Sequence, residues 1–127
     1  MRILLDTNRF TDFLRGVEEA VKTITYAKHV FVPFITLGES RAGFGLGTRA
    51  AKNEAALVHF LNSPRVETLF PDEDTTHRYG ELFKQLRKQG TPIPTNDIWI
   101  AALAVQHRLT IHARDRHFHH LPQVMVV

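Results

Sequence analysis

Six aspartates and seven glutamates are spread over 127 residues. Four of these acids, Asp6, Glu39, Asp97 and Asp115, fall at the end of a strand-like apolar run or at the start of a helix. If the fold gathers them, the chemistry follows from their type. Crowded carboxylates repel one another and resist ionisation unless a cation neutralises them. Oxygen donors without cysteine suit a hard divalent ion, Mg²⁺ with Mn²⁺ as a substitute. Such an ion polarises a phosphoryl oxygen and activates water for in-line attack, so the reaction implied is hydrolysis of a nucleic-acid phosphodiester.

Each acid also has a plainer explanation. Asp6 follows Arg2-Ile3-Leu4-Leu5 and suits the N-cap of a helix containing Phe10. Thr36 and Glu39 have the spacing of a capping box. Asp97 shares a helical face with Ala101, Ala104 and Val105, so it points inward and needs a partner; otherwise it is an acid favoured by the helix N-terminus. Asp115, in His112-Ala113-Arg114-Asp115-Arg116-His117-Phe118, is either a fourth site acid or part of a surface turn beside its arginines. Arg41, Arg49, Arg114 and Arg116 offer guanidinium groups to phosphates, or are solvated, or pair with the carboxylates. His117, His119 and His120 match no known metal-ligand spacing and read as a polar loop.

The elements that must position these residues alternate. Strands are expected at Arg2–Leu5, Val30–Phe34, Val66–Phe70 and Leu109–His112, with a fifth at Val124–Val127. Between them, apolar residues at helical spacing mark helices around Phe10–Leu14, Val17–Ile24, from Thr36 into a glycine-weakened end, Ala50–Leu61, from Asp72 to a stop at Gly90, and Asn96–His107. This alternation predicts an α/β fold, three layers α/β/α around a mostly parallel sheet of four or five strands. In such sheets, sites form beyond the carboxyl ends of the strands.

The length fits one domain over residues 1–127, and 43% apolar residues suffice for a core. A net charge of +3 and a pI near 9.6 lean towards a polyanionic partner. The chain has no cysteine, which excludes a disulfide scaffold, a thiolate metal site and a cysteine nucleophile. The N-terminus lacks the pattern of a signal peptide, and no apolar run approaches the roughly 20 residues of a membrane span, so a cytoplasmic location is expected.

Ile3-Leu4-Leu5-Asp6-Thr7-Asn8, Thr36-Leu37-Gly38-Glu39-Ser40-Arg41-Ala42-Gly43, Pro94-Thr95-Asn96-Asp97-Ile98-Trp99-Ile100-Ala101-Ala102 and Arg114-Asp115-Arg116-His117-Phe118 resemble, in order, the four motifs of the VapC-type toxins of the PIN-domain family. The resemblance runs nearly end to end. It implies a Mg²⁺-dependent endoribonuclease, with Asp6, Glu39, Asp97 and Asp115 as the acidic cluster and Asp6 and Asp97 as direct metal ligands. Asn8 matches a small polar position that supports the site. The resemblance also implies an RNA substrate, a cognate VapB-like antitoxin and a homodimer. One position departs from the pattern: relatives usually carry Thr or Ser two residues before the fourth acid, where this chain has Ala113.

Three rivals remain. A non-catalytic PIN-like module would bind RNA or protein without cutting. A phosphatase- or receiver-like protein would use Asp6 as a phosphoacceptor, although the related dehalogenase-type enzymes want an Asp where this chain has Asn8. A structure-specific DNA nuclease would share the metal chemistry.

Overall fold

Ile3, Leu4 and Leu5 are fully buried, and consecutive strand residues point to opposite faces, so the first strand must be covered on both sides. The computed structural model, which describes residues 1–127, shows how. The elements are β1 (Arg2–Leu5), α1 (Thr7–Leu14), α2 (Glu18–Tyr26), β2 (His29–Pro33), α3 (Phe34–Leu46), α4 (Ala50–Leu61), β3 (Val66–Leu69), α5 (Glu73–Gln89), α6 (Thr95–His107) and β4 (Thr110–His112). A short 3₁₀ helix, Arg116–His120, follows.

The strands lie in the order β3-β2-β1-β4, and every pair is parallel. Ile3, Leu5, Val30 and Val32 face one layer, where Phe10 of α1, Ile24 of α2 and Leu57 and Phe60 of α4 pack on them. Leu4, Phe31 and Ile111 face the other, against Leu82 and Leu86 of α5 and Ile98 and Leu103 of α6. The period-2 alternation of two strands thus divides the core into two clusters, giving the three layers expected. No helix is long and apolar enough to cross a membrane.

Two local expectations are corrected. The fifth strand reduces to a single parallel bridge between Ile111 and Val126, flanked by hydrogen bonds from Ile111 N to Met125 O (2.8 Å) and from Val127 N to Ile111 O (2.9 Å). β4 has only three residues, so its outer edge offers little to pair with. The capping box at Thr36 and Glu39 does not form. α3 begins at Phe34 after the N-cap Pro33, which places Thr36 inside the first turn. There its buried hydroxyl donates to the carbonyl of Leu5 (3.0 Å), and Glu39 is left free to turn elsewhere. A capping box does occur at Asp72 and Thr75, at the start of α5.

The topology also sets where a cleft opens. The chain runs outward from β1 through β2 to β3, then crosses back to lay β4 on the other side of β1. The connections leaving β1 and β4 therefore diverge, and a crevice forms at their carboxyl ends.

Candidate active site

Asp6 directly follows β1 at this crevice. By position it is the N-cap of α1, and its carbonyl accepts from Phe10 N at 3.0 Å, but its side chain makes no capping hydrogen bond. The carboxylate is thus spared for the cleft, although Asp6 is only 4% exposed. Asp97 enters from the first turn of α6, half-buried, while Ala101 and Ala104 on the same helical face are sealed in the core. Glu39 arrives from the second turn of α3. Thr7 Oγ1 donates to Glu39 Oε1 at 2.7 Å, and Asn96 Nδ2 lies 3.4 Å from Oε2. Asp115 comes from the loop after β4, where its Oδ1 accepts from His117 N at 3.0 Å and caps the 3₁₀ helix.

These four acids, from four segments distant in sequence, line one open polar cavity of about 330 Å³ together with Thr7, Asn8, Asn96 and His117. Their charges oppose one another. Burial, then the charge of Asp97 and more weakly those of Glu39 and Asp115, push the Asp6 carboxyl up to about 6. Asp97 is raised by burial and by Asp115 and Glu39, and is partly relieved by His117. The donor set is hard oxygen with one imidazole at the rim, and it carries more negative charge than the fold neutralises. Both properties fit a divalent cation held mainly by carboxylates.

His117 was not expected here. Its Nδ1 lies 2.7 Å from Asp97 Oδ2 and 3.1 Å from Asp115 Oδ1, so it ties two of the acids together. The ligand-type atoms of Asp97, Asp115 and His117 all fall within 4.8 Å of one another. Its position two residues beyond Asp115, within the fourth motif, separates it from His119 and His120, which are exposed and outside the cavity. Thr7 likewise stood inside the first motif as an unremarked neighbour of Asp6 and Asn8, and it proves to hold Glu39.

The arginines are placed differently. Arg41 makes a two-pronged pair with Glu54 of α4, 2.9 Å for each contact, away from the acids. Arg114 turns back to Asp12 of α1 at 3.0 Å. Arg116 is exposed, in no ion pair, and does not line the cavity. Arg49 lines a second cavity that adjoins the first.

A doubly covered parallel sheet with four carboxylates converging beyond its strand ends defines an α/β fold with an acidic centre at that edge. The family model for the PIN domain matches residues 3–124, and the chain belongs to the PIN-domain family. It is 30% identical over 117 residues to Ribonuclease VapC1 of Haemophilus influenzae, covering 89% of this chain and 83% of that protein. It is 35% identical over 99 residues to Ribonuclease VapC4 of Mycobacterium tuberculosis, covering 76% and 74%. Among solved structures, a VapBC-5 complex of M. tuberculosis, described as a member of the VapBC family of toxin-antitoxin systems, superimposes with a TM-score of 0.77 at 26% identity. That superposition covers 99% of this chain and 97% of the other.

Proposed function

We propose that this protein is a metal-dependent endoribonuclease, the toxin of a type II toxin–antitoxin pair whose partner is a VapB-like protein. The observation that carries this reading is the convergence of Asp6, Glu39, Asp97 and Asp115 on one cavity, with Asp6 forced up to about 6. The relatives named as VapC ribonucleases and the VapBC toxin–antitoxin likeness supply the substrate class and the kind of partner. A homodimer and a cytoplasmic location belong to the same reading.

Asp6 and Asp97 would hold Mg²⁺ directly, with Asp115 completing the negative wall. The ion, when bound, supplies a Lewis acid for the scissile phosphate and lowers the pKa of a water. Glu39, oriented by Thr7 and Asn96, is the base placed to take the proton of the attacking water. Attack would join the water oxygen to phosphorus and break the bond between phosphorus and the 3′ oxygen, which takes a proton from solvent in exchange for the one passed to Glu39 and leaves as a free hydroxyl, with the phosphate on the 5′ end of the other fragment. Asn8, at the cavity wall, offers its amide to the substrate or to a neighbouring carboxylate.

The test is cleavage of a mixed, structured RNA pool by the purified chain in Mg²⁺ and in EDTA, beside Asp97→Asn. Cutting is expected only in Mg²⁺ and only by the parent. A folded, Mg²⁺-binding parent that leaves RNA intact would instead make this a binding module, in which Ala113 replaces a hydroxyl the chemistry needs.

His117 has a distinguishable role. It restrains Asp97 and Asp115 and does not carry the chemistry. His117→Ala is therefore expected to lower the cleavage rate about 10- to 100-fold, the range for a residue that orients metal ligands. The loss should be recovered in part by raising Mg²⁺, which isothermal titration of the metal would follow in parallel. A loss that no Mg²⁺ concentration relieves would place His117 in the proton transfers instead.

A further inference from the structure

The acidic cavity does not end at Glu39. Thr7 and Glu39 also line a second cavity of about 640 Å³, between α1, the outer half of α3 and the start of α4. Its character is opposite. Arg15 from the end of α1 and Arg49 before α4 line it, and neither is in an ion pair, whereas Arg41 and Arg114 are both neutralised by carboxylates. Arg49 is also the N-cap position of α4 and provides no side-chain cap, so the positive end of that helix opens beside it. Ser40, on the same wall, is 5% exposed with its buried hydroxyl unpartnered, a polar group left without a protein acceptor or donor.

We propose that this second cavity is a binding subsite for the RNA backbone flanking the scissile phosphate, with Arg15 and Arg49 contacting phosphates. The inference rests on the ribonuclease reading of the neighbouring acids. A strand that places one phosphate over a carboxylate cluster needs compensating cations on the adjacent nucleotides. These two arginines are the unpaired ones on a wall shared with the site. Guanidinium groups suit the task because they bind phosphate oxygens in a two-pronged manner and stay charged at every working pH.

The test measures binding of a fluorescein-labelled, single-stranded oligoribonucleotide in EDTA as KCl is raised, together with cleavage kinetics in Mg²⁺. The full chain is compared with Arg15→Gln, Arg49→Gln and the double variant; Arg41→Gln and Arg116→Gln serve as controls. Repulsion from the acids is common to all, so differences isolate the arginines. Each substitution is expected to reduce the slope of log K against log salt by about 0.7, the value per phosphate on a single strand. The double variant should reduce it by about 1.4 and raise KM by about tenfold or more while kcat changes little. Arg41→Gln and Arg116→Gln should leave the slope where it was. Because Arg15 and Arg49 hold no partner in the fold, unfolding midpoints should not move.

A double variant that keeps the parental slope and KM while the parent cleaves RNA overturns the subsite and leaves the ribonuclease intact. A double variant that keeps RNA binding but loses binding to poly-glutamate overturns it in favour of an acidic protein segment. A parent that neither binds nor cuts RNA removes the ribonuclease reading itself, and the subsite with it.

Discussion

Asp6→Asn is expected to lower cleavage sharply and, in EDTA, to make the protein more stable. The two effects have one cause. Asp6 is buried among like charges, and its carboxyl is held near 6 instead of 3.8. A raised folded-state value means that the native state binds the proton more tightly than the unfolded chain. The stabilisation from that proton is complete below about pH 4 and is lost as pH rises through 6. At pH 7 the ionised carboxylate therefore costs the metal-free fold about 3 kcal/mol, from roughly two pH units at 1.36 kcal/mol each. Asparagine keeps the shape and removes the charge, so most of that cost should disappear. Urea unfolding in EDTA at pH 7 should show Asp6→Asn above the parent, with the gap closing towards pH 4. With Mg²⁺ the gap should narrow, because the parent gains ligand-linked stability and the variant does not; the order inverts once free Mg²⁺ exceeds its Kd by more than about a hundredfold. Cleavage should fall by about 10³-fold, equivalent to ~4 kcal/mol of transition-state stabilisation. A variant that is no more stable in EDTA would mean that the acids are not crowded enough to require a cation, and the metal reading would fall with that result.

Asp12→Ala is expected to act on stability in the opposite direction. Arg9 is only 7% exposed, and its charge is met by Asp12 at 3.4 Å and Glu19 at 3.1 Å. The same Asp12 oxygen holds Arg114 at 3.0 Å, directly beside Asp115 in the chain. Removing Asp12 leaves a buried guanidinium with one solvent-facing partner. Breaking a buried pair costs about 3–5 kcal/mol, and the remaining Glu19 reduces that to about 2–3 kcal/mol. Against a typical total stability of about 5–15 kcal/mol the loss is large, and Tm should drop by ~10 °C. Glu54→Gln, which breaks the exposed pair with Arg41, should leave Tm where it is. Thermal unfolding of the three proteins decides it, and equal midpoints for Asp12→Ala and the parent would show Arg9 to be adequately solvated without its partner. Arg114 would also be released, so some loss of cleavage is expected as the loop carrying Asp115 relaxes.

Much of the architecture was written in local pattern. The apolar runs read as Arg2–Leu5, Val30–Phe34, Val66–Phe70 and Leu109–His112, separated by helical spacing, implied parallel strands covered on both faces; the strands form within a residue of those bounds, and the two core clusters follow their alternation. The four acids were legible for the same reason: strand ends and helix starts are local features, and the sheet topology sends them to one edge. Local pattern could not say what Thr36 and Glu39 do. Their spacing satisfies a capping box, yet β1 offers a carbonyl to Thr36, Thr7 offers a hydroxyl to Glu39, and those long-range partners prevail. The arginines show the same limit. Nothing near Arg41, Arg114 or Arg49 in sequence indicates that Glu54 takes the first, Asp12 the second, and no carboxylate the third. His117 resembled its exposed neighbours until the 3₁₀ turn capped by Asp115 aimed it at Asp97. Sequence by itself determined the class of fold and the acidic residue types at the carboxyl edge of its sheet, because periodicity and strand ends are encoded within a few positions. Only the tertiary structure decided which charges are paired, buried or free, because that depends on partners brought from tens of residues away.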